Sequence, residues 1–532
     1  MTTQTYDVAV IGMGPTGLTL AAALARRGRS VVIVEKHPNF YGDPRAGHVD
    51  HEIVRILQSL GTWAPVAEIA VKVTEYAYRN QHGELLIEFK PDAETVSGYH
   101  SDYMQFQPVL ESAVADAIKT HPKVRFLQGW EAVAFAQDAE GVELSLKASP
   151  GIALPAKKGE TQSLRASYLV GADGANSFVR RTLGIECDDL GFKETWLDVD
   201  CRVKRPLNLQ TYCGHICDPK RPRVSLPLGK HHHRWEWSLR PGETAEQMLK
   251  PETAWTLLAD EGVGPDDVEI LRHILYQFSA LMAKQWRVGR VMLAGDAAHT
   301  QPPFMGQGMC SGVRDALNLA WRLDAVVGGL AADLLLDTYQ VERYPHTQDW
   351  TMISIASGQV SCVLDEQKAA ERDALFRSGF KPPMPEFPYL KQGVLDLQSA
   401  DRAPALIGRL ALNAKVAKGS EGALLEDLFY QDGWMVVSVS GRPEKYLSQE
   451  QTARLEVLGT RFVHLGEKDG SGVDAVDIDG KYRAFFELHQ CEVMVVRPDF
   501  YVFGAGRVAD LPRIVDQLFA QLAAPSAVRV EA

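Results

Sequence analysis

The sequence predicts an α/β protein: a doubly wound parallel sheet, interrupted by an inserted antiparallel sheet and followed by a smaller α/β unit. Three observations carry this. An apolar run, Tyr6 to Ile11, ends on Gly12-x-Gly14-x-x-Gly17 and leads into an alanine-rich segment, Leu20 to Ala25. Residues near 190–285 alternate apolar and polar side chains with a period of two. Beyond a proline-rich stretch, Lys381-Pro382-Pro383-Met384-Pro385-Glu386-Phe387-Pro388, short strand patterns alternate with helical ones.

The first element is a Rossmann-like strand, glycine turn and helix. Gly12 permits the tight turn, Gly14 lets a pyrophosphate approach the backbone, and Gly17 lets helix and strand pack closely. A second apolar run, Val31 to Val34, closes on Glu35, whose carboxylate is placed to accept hydrogen bonds from an adenosine ribose. The phosphate would lie on free N–H groups at the helix start. Next come a polar loop, Asp43 to Glu52, and a helix, Ile53 to Leu60. Tyr103 to Pro108 opens another helix. Val124 to Leu146 reads as a small antiparallel sheet, and Lys157 to Gln162 as a hairpin tip. Tyr168 to Arg181 is a buried strand, an Asp173-Gly174 turn and a helix start.

Val224–Leu228 and Arg234–Leu239 are strands of the inserted sheet, one face of which is covered. Val288 to His299 returns to the first sheet, and Pro302 to Gly308 leads into a long helix, about Cys310 to Val327. Helices continue from Thr338 to about Phe376. The last part pairs strands (Trp434–Val439, Arg461–Leu465, Glu492–Arg497, Tyr501–Phe503) with helices (Gln449–Leu458, Val508–Gln521). The expected units are 1–190 and 286–380 for the nucleotide domain, 191–285 for the antiparallel sheet, a linker over 381–404, and 405–532.

A chain of 532 residues, 45% of them hydrophobic, supports several domains with substantial cores. Its net charge of −12 argues against nucleic acid or an anionic membrane as the main partner. Seven scattered cysteines suit a reduced, cytoplasmic protein better than a disulfide framework. The N-terminus has no basic region of a signal peptide. No repeat or membrane span is read from the sequence.

Gly12-x-Gly14-x-x-Gly17, Asp173-Gly174 and Gly295-Asp296-Ala297-Ala298-His299, in this order, resemble the motifs of single-component flavoprotein aromatic hydroxylases. The resemblance covers at least residues 5–345. In length and layout the chain is similar to the 3-(3-hydroxyphenyl)propionate hydroxylase and phenol hydroxylase subgroup, which carries a thioredoxin-like C-terminal domain. Cys491 stands alone in that part, so a structural or dimer-related role is implied for it. The resemblance implies FAD as cofactor. Its contacts would be Gly12, Gly14, Pro15, Thr16, Gly17, Glu35, Lys36, Arg45, Gln107, Asp173, Gly295, Asp296, Pro303, Gly306, Gly308 and Met309. NADPH or NADH would reduce the flavin, and dioxygen would add to form a C4a-hydroperoxide that attacks a phenolic ring. Only one complete fingerprint is present, since Gly504-Ala505-Gly506 lacks the third glycine; the nicotinamide would therefore bind transiently. The helix following Gly306-Gln307-Gly308 would direct its positive end at the reduced flavin.

His48, Arg45 and His215 are the candidate catalytic residues. Tyr212, His215, Trp235, Trp237 and Pro302 are candidates for the substrate pocket. Arg223, Arg234 and Arg240 are possible partners of a substrate carboxylate, with none singled out. Cys213, His215 and Cys217 share one strand face, a spacing poor for a metal, and no metal site is expected. The function expected is hydroxylation of a small phenol with an acidic side chain, by a homodimer. The rivals are a tailoring hydroxylase of polycyclic polyketides and a flavin-binding redox sensor or scaffold.

Overall fold

The computed structural model describes residues 5–39, 42–150, 159–209, 212–380, 386–401, 403 and 405–523. The hairpin tip expected at 157–162 and the link at 381–388 fall partly outside these residues.

Strand β1 (Thr5–Ile11), helix α1 (Pro15–Arg26) and strand β2 (Val31–Glu35) follow the expected order. Val8–Ile11 of β1 and Val31–Val34 of β2 are all valine, isoleucine or alanine because the sheet is covered on both faces there. Five parallel strands lie side by side in the order Val291–Leu293, Thr161–Gly171, β1, β2, Val124–Gln128. An antiparallel pair, Trp130–Gln137 and Val142–Ala148, is added to the N-terminal half of Thr161–Gly171. Helix α1 is buried from Gly17 to Ala25, with alanines at four of those nine positions, so it lies deep in the core.

The second sheet has eight strands and reaches further than the alternation suggested. Its centre is two long antiparallel strands, Cys187–Val203 and Val268–Ala283. Their register shifts between Asp189 and Lys193 and again between Asp200 and Cys201, which breaks the period-two pattern. The hairpin Tyr76–Asn80 and Leu85–Phe89, from the first part of the chain, completes one edge by pairing parallel with Cys213–Cys217.

The long helix runs from Gln307 to Val327 and packs on α1. The following helix, Thr338–Ser361, tolerates Pro345 in its interior. The carbonyl of Val341 that proline would leave unpaired accepts from Gln392 Nε2 at 2.9 Å.

The C-terminal unit is a mixed seven-stranded sheet with Met435–Ser438 near its centre and helices Gln449–Val457, Lys481–Leu488 and Leu511–Ala523. Buried ion pairs fix it to the rest. Arg55 forms a bidentate pair with Glu426 and donates to Ala411 O at 2.7 Å. Arg497 pairs with Glu342, which also receives Arg322. Breaking a buried pair of this kind from one side costs about 3–5 kcal/mol. Among the described residues no helix is long and apolar enough to cross a membrane.

Candidate active site

The three glycine motifs, separated by up to 280 residues, meet at the end of the parallel sheet. Gly12 has φ +107°, and a Cβ there would lie 2.2 Å from Ala172 O and 3.1 Å from Asp173 Cα. The first motif therefore packs directly on the second. A Cβ on Gly295 would lie 2.6 Å from Thr16 Oγ1, and one on Gly312 would lie 2.3 Å from the same oxygen. Thr16 thus sits between the third motif and the long helix. Gly17 closes on Gly12 O in the same way, at 2.1 Å.

Gly14 and Gly308 are different. Neither has a positive φ, and a Cβ at either would meet nothing within 4 Å. The protein itself does not require glycine there, so the space they keep open suits a bound group. Helix α1, behind Gly14, and the long helix, behind Gly306, both begin without a side-chain cap. Their unpaired N–H groups and positive ends suit an anion. Glu35 lies across this turn, accepting from Met13 N at 3.1 Å and His37 N at 2.9 Å. Two uncapped helix ends, two open glycines and an acid at the end of β2 fit FAD, whose pyrophosphate would lie at Gly14, ribose at Glu35 and flavin ring toward Gly308. Pro15 starts α1, Lys36 is exposed beside Glu35, and Pro303 and Met309 are half-buried around the second helix end.

Asp173 is engaged locally. It accepts from Ser177 Oγ at 2.5 Å and Val179 N at 3.1 Å, fixing the turn before helix Phe178–Thr182. The sequence reading missed Arg180, which donates to Ala175 O and to Ala297 O at 2.7 Å and so joins the second motif to the third. Asp296 is reached by solvent, yet burial is the main cause raising its pKa, with Arg45 and His299 opposing. A side chain on the wall of an internal cleft has both properties. Gln107 is buried and accepts from Ala46 N at 2.6 Å, anchoring the Arg45 loop. His299, at the end of the third motif, pairs with buried Asp315 at 2.7 Å.

His48 is buried with both nitrogens taken. Nε2 is 2.7 Å from Asp102 Oδ1 and Nδ1 is 3.2 Å from Gly306 O. Burial opposes its charge, but hydrogen bonds to Asp102 and Cys310 outweigh burial and hold its pKa well above the ordinary value. A protonated imidazole with both N–H groups engaged is not placed as a base; His48 holds the turn before the long helix. His215 is stacked on Tyr78 with centroids 4.2 Å apart and has Nδ1 3.1 Å from Ser361 Oγ. Burial depresses its pKa to about 3, so it is neutral.

Trp235 and Trp237 do not line the pocket. On strand His232–Ser238 the odd-numbered residues face the helix Pro251–Asp260, and both tryptophans pack there with Leu197, Leu257 and Leu258. The pocket face carries the even positions, an assignment that needs the register rather than the composition. That face carries a packed aromatic cluster of Phe192, Trp196, Phe278 and Phe304, with Tyr76 and Phe106 packed against it. Tyr212, beside Cys213, is half-buried, and Pro302, ahead of Phe304, is buried with its carbonyl accepting from Ser354 Oγ.

Next to the aromatic residues the same face carries a buried charge cluster. Arg234 chelates Asp200, at 2.5 and 3.0 Å, and donates to Arg45 O at 2.7 Å and Pro44 O at 3.1 Å. Arg272 also binds Asp200, at 2.9 Å. Arg234 is thus a clamp on the Arg45 loop, and Arg223 and Arg240 pair with Glu261 and Glu243. Asp198 and Glu236 complete the cluster. Burial, and for Glu236 the neighbouring Asp198, push both carboxyls up, partly opposed by Arg234. Asp198 Oδ1 and Trp196 Nε1 are buried without a partner.

The parallel sheet, the joined glycine motifs and the two open helix ends define an FAD-binding protein, and the family described as FAD binding domain matches residues 5–354. The chain belongs to that family and is an FAD-dependent aromatic hydroxylase. A C-terminal family, the HcaD C-terminal domain, matches residues 408–521. A probable NADH-specific resorcinol 4-hydroxylase of Rhodococcus jostii (strain RHA1) is 35% identical over 98% of this chain and 96% of its own. The 3-(3-hydroxy-phenyl)propionate/3-hydroxycinnamic acid hydroxylase of Klebsiella pneumoniae (strain 342) is 31% identical over 94% and 91%. Among solved structures, aklavinone-11 hydroxylase with FAD and aklavinone is 25% identical, with a TM-score of 0.77 over 97% of this chain and 99% of that one.

Proposed function

We propose that the chain hydroxylates a small monocyclic phenol, using electrons from NADH or NADPH and one atom of dioxygen. The observation that carries this is the buried aromatic cluster of Phe192, Trp196, Phe278 and Phe304, packed between the antiparallel sheet and the turn that leads into the long helix. Bound FAD would supply reducing equivalents and the activated oxygen. The chain's own residues do the rest. Gly12, Gly14, Gly17 and Glu35 would hold the dinucleotide, Asp296 would bond to it, and Arg45, clamped through its carbonyl by Arg234, would help position the ring. Apolar walls exclude water from the reacting centre.

An acidic side chain on the phenol, as in the propionate hydroxylase relatives, is one candidate substituent. A second hydroxyl, as in the resorcinol relative, is favoured by a specific observation: Asp198 Oδ1 is a buried acceptor without a partner, whereas Arg234 and Arg272 on the same face are both committed to Asp200. NADH is the preferred donor on this reading. The C-terminal unit is read as thioredoxin-like and structural, and the protein as a cytoplasmic homodimer with no nucleic-acid or membrane partner.

The test is a panel of resorcinol, phenol, 3-(3-hydroxyphenyl)propionate and a polycyclic phenol. Substrate-dependent NADH oxidation is followed together with hydroxylated product. Turnover of resorcinol supports the reading; turnover of the polycyclic compound alone would replace it with a tailoring role. Reduction that stays slow with every compound would favour a flavin sensor.

A further inference from the structure

The C-terminal unit touches the flavin-facing turn through an unbroken chain of buried hydrogen bonds. Tyr501 Oη donates to Glu52 Oε1 at 2.7 Å, and Glu52 Oε2 accepts from Arg314 Nε at 2.5 Å. Arg314 then donates to Gln307 Oε1 at 2.8 Å and to Asp50. Gln307 returns to Asp50 through its Nε2 at 3.2 Å. Every member is buried. Gln307 is the first residue of the long helix, between Gly306, whose carbonyl lies against His48, and the open Gly308.

The balance of charge in this chain is poised. One guanidinium faces two carboxylates, Asp50 and Glu52, so the Tyr501 hydroxyl is the donor that offsets the surplus at Glu52 Oε1. Asp50 has a second task, because its Oδ1 accepts from Glu52 N and Ile53 N and caps helix α2 (His51–Ser59). It cannot move to compensate. Without the hydroxyl, Glu52 draws Arg314 toward itself and away from Gln307.

We propose that Tyr501 is a positioning residue for the flavin site: the C-terminal unit sets, through Glu52 and Arg314, where Gln307 and the N-terminus of the long helix stand. This rests on the placement of the flavin ring toward Gly308 given above. The consequence has a sign. A positive helix end stabilises the anionic reduced flavin over the neutral oxidised one, so loosening it lowers the reduction potential of bound FAD.

The experiment compares full-length, FAD-loaded wild type, Tyr501→Phe and Tyr430→Phe. Tyr430 is the control, since its hydroxyl donates to Pro498 O at 2.8 Å rather than to Glu52, and its ring, which packs on Phe500, is kept in the phenylalanine variant. Tyr501→Phe is expected to lose threefold to tenfold in preference for reduced over oxidised FAD, which is a fall of about 15–30 mV. Its flavin absorbance change on adding resorcinol should also differ from that of wild type. Tyr430→Phe is expected to lower stability and leave the potential unchanged. Should Tyr501→Phe not fold, Glu52→Gln keeps the volume, removes the charge that draws Arg314 from Gln307 and is expected to raise the potential; a fall or no change there overturns the proposal. An unchanged potential in yellow Tyr501→Phe protein, or equal shifts in both tyrosine variants, overturns the proposal alone. A wild-type chain that takes up no FAD overturns the flavin reading and this proposal with it.

Discussion

Replacing Glu236 by Gln tests the charge cluster on the substrate face. Asp198, Asp200 and Glu236 outnumber the guanidiniums of Arg234 and Arg272, and burial keeps neighbouring His232 neutral, so one carboxyl is unbalanced and retains a proton. Glu236, pushed up to about 8, is the group that holds it. The folded chain then keeps a proton that the unfolded chain has shed between the ordinary carboxyl pKa and about pH 8. A raised carboxyl pKa makes stability greatest below pH 4.5 and drains it as pH rises through the folded value. One proton changes stability by about 1.4 kcal/mol per pH unit, so wild type loses about 2–3 kcal/mol from this site between pH 5.5 and 7.5. Glu236→Gln supplies a neutral amide of the same size and removes that loss. Urea unfolding of both proteins at pH 5.5 and 7.5, with FAD fixed in excess, measures the difference for the Glu236–Asp198 pair, because titrating groups outside the cluster contribute equally to the two. Parallel losses, within about 0.5 kcal/mol, would refute the retained proton and the reading of the cluster as one carboxyl in surplus.

Gly14→Ala should leave the unfolding of the FAD-free chain unchanged, since its Cβ meets nothing, and should weaken FAD binding about tenfold or more. Equal FAD affinity by fluorescence titration would move the pyrophosphate elsewhere. Asp296→Ala should lose FAD while the chain stays folded, because the cofactor rather than the core is its partner; full occupancy in purified protein would contradict that placement. His48→Gln should destabilise by about 1–3 kcal/mol at pH 6 and less at alkaline pH. The raised histidine pKa contributes stability below its ordinary value and loses it as pH climbs through the folded one. A thermal shift of equal size at pH 6 and pH 9 would remove the charge from His48.

What the sequence disclosed, and what it hid, follows from range. Gly12, Gly14 and Gly17 constrain one another over six residues, and their spacing alone implies strand, turn and helix. The acid on β2 and the Asp173 and Gly295 turns each end a strand, so their common destination could be read from parallel-sheet geometry. Trp235 and Trp237 were misassigned because alternation reveals two faces without saying which is which; that depends on pairing with strand Cys187–Val203. Asp198 and Glu236 draw no notice in the sequence and Arg234 only as one of three possible carboxylate partners, since a buried charge in a strand is recognisable only once its partners are in place. The Tyr501–Glu52 contact joins residues 449 positions apart, in units that share no motif. His48 was found, but its task was not: a histidine two residues before an N-cap gives no hint that its ring closes on Gly306.

The tie between Arg55 and Glu426 has a practical side. A chain cut ahead of the C-terminal unit would take Glu426 from Arg55, Tyr501 from Glu52 and Arg497 from Glu342 at once, beside a newly bared apolar wall. The oxygenase part cannot therefore be trimmed to a minimal catalyst in the way that an appended, tethered module could. Anyone reshaping this enzyme for another ring must carry its tail along.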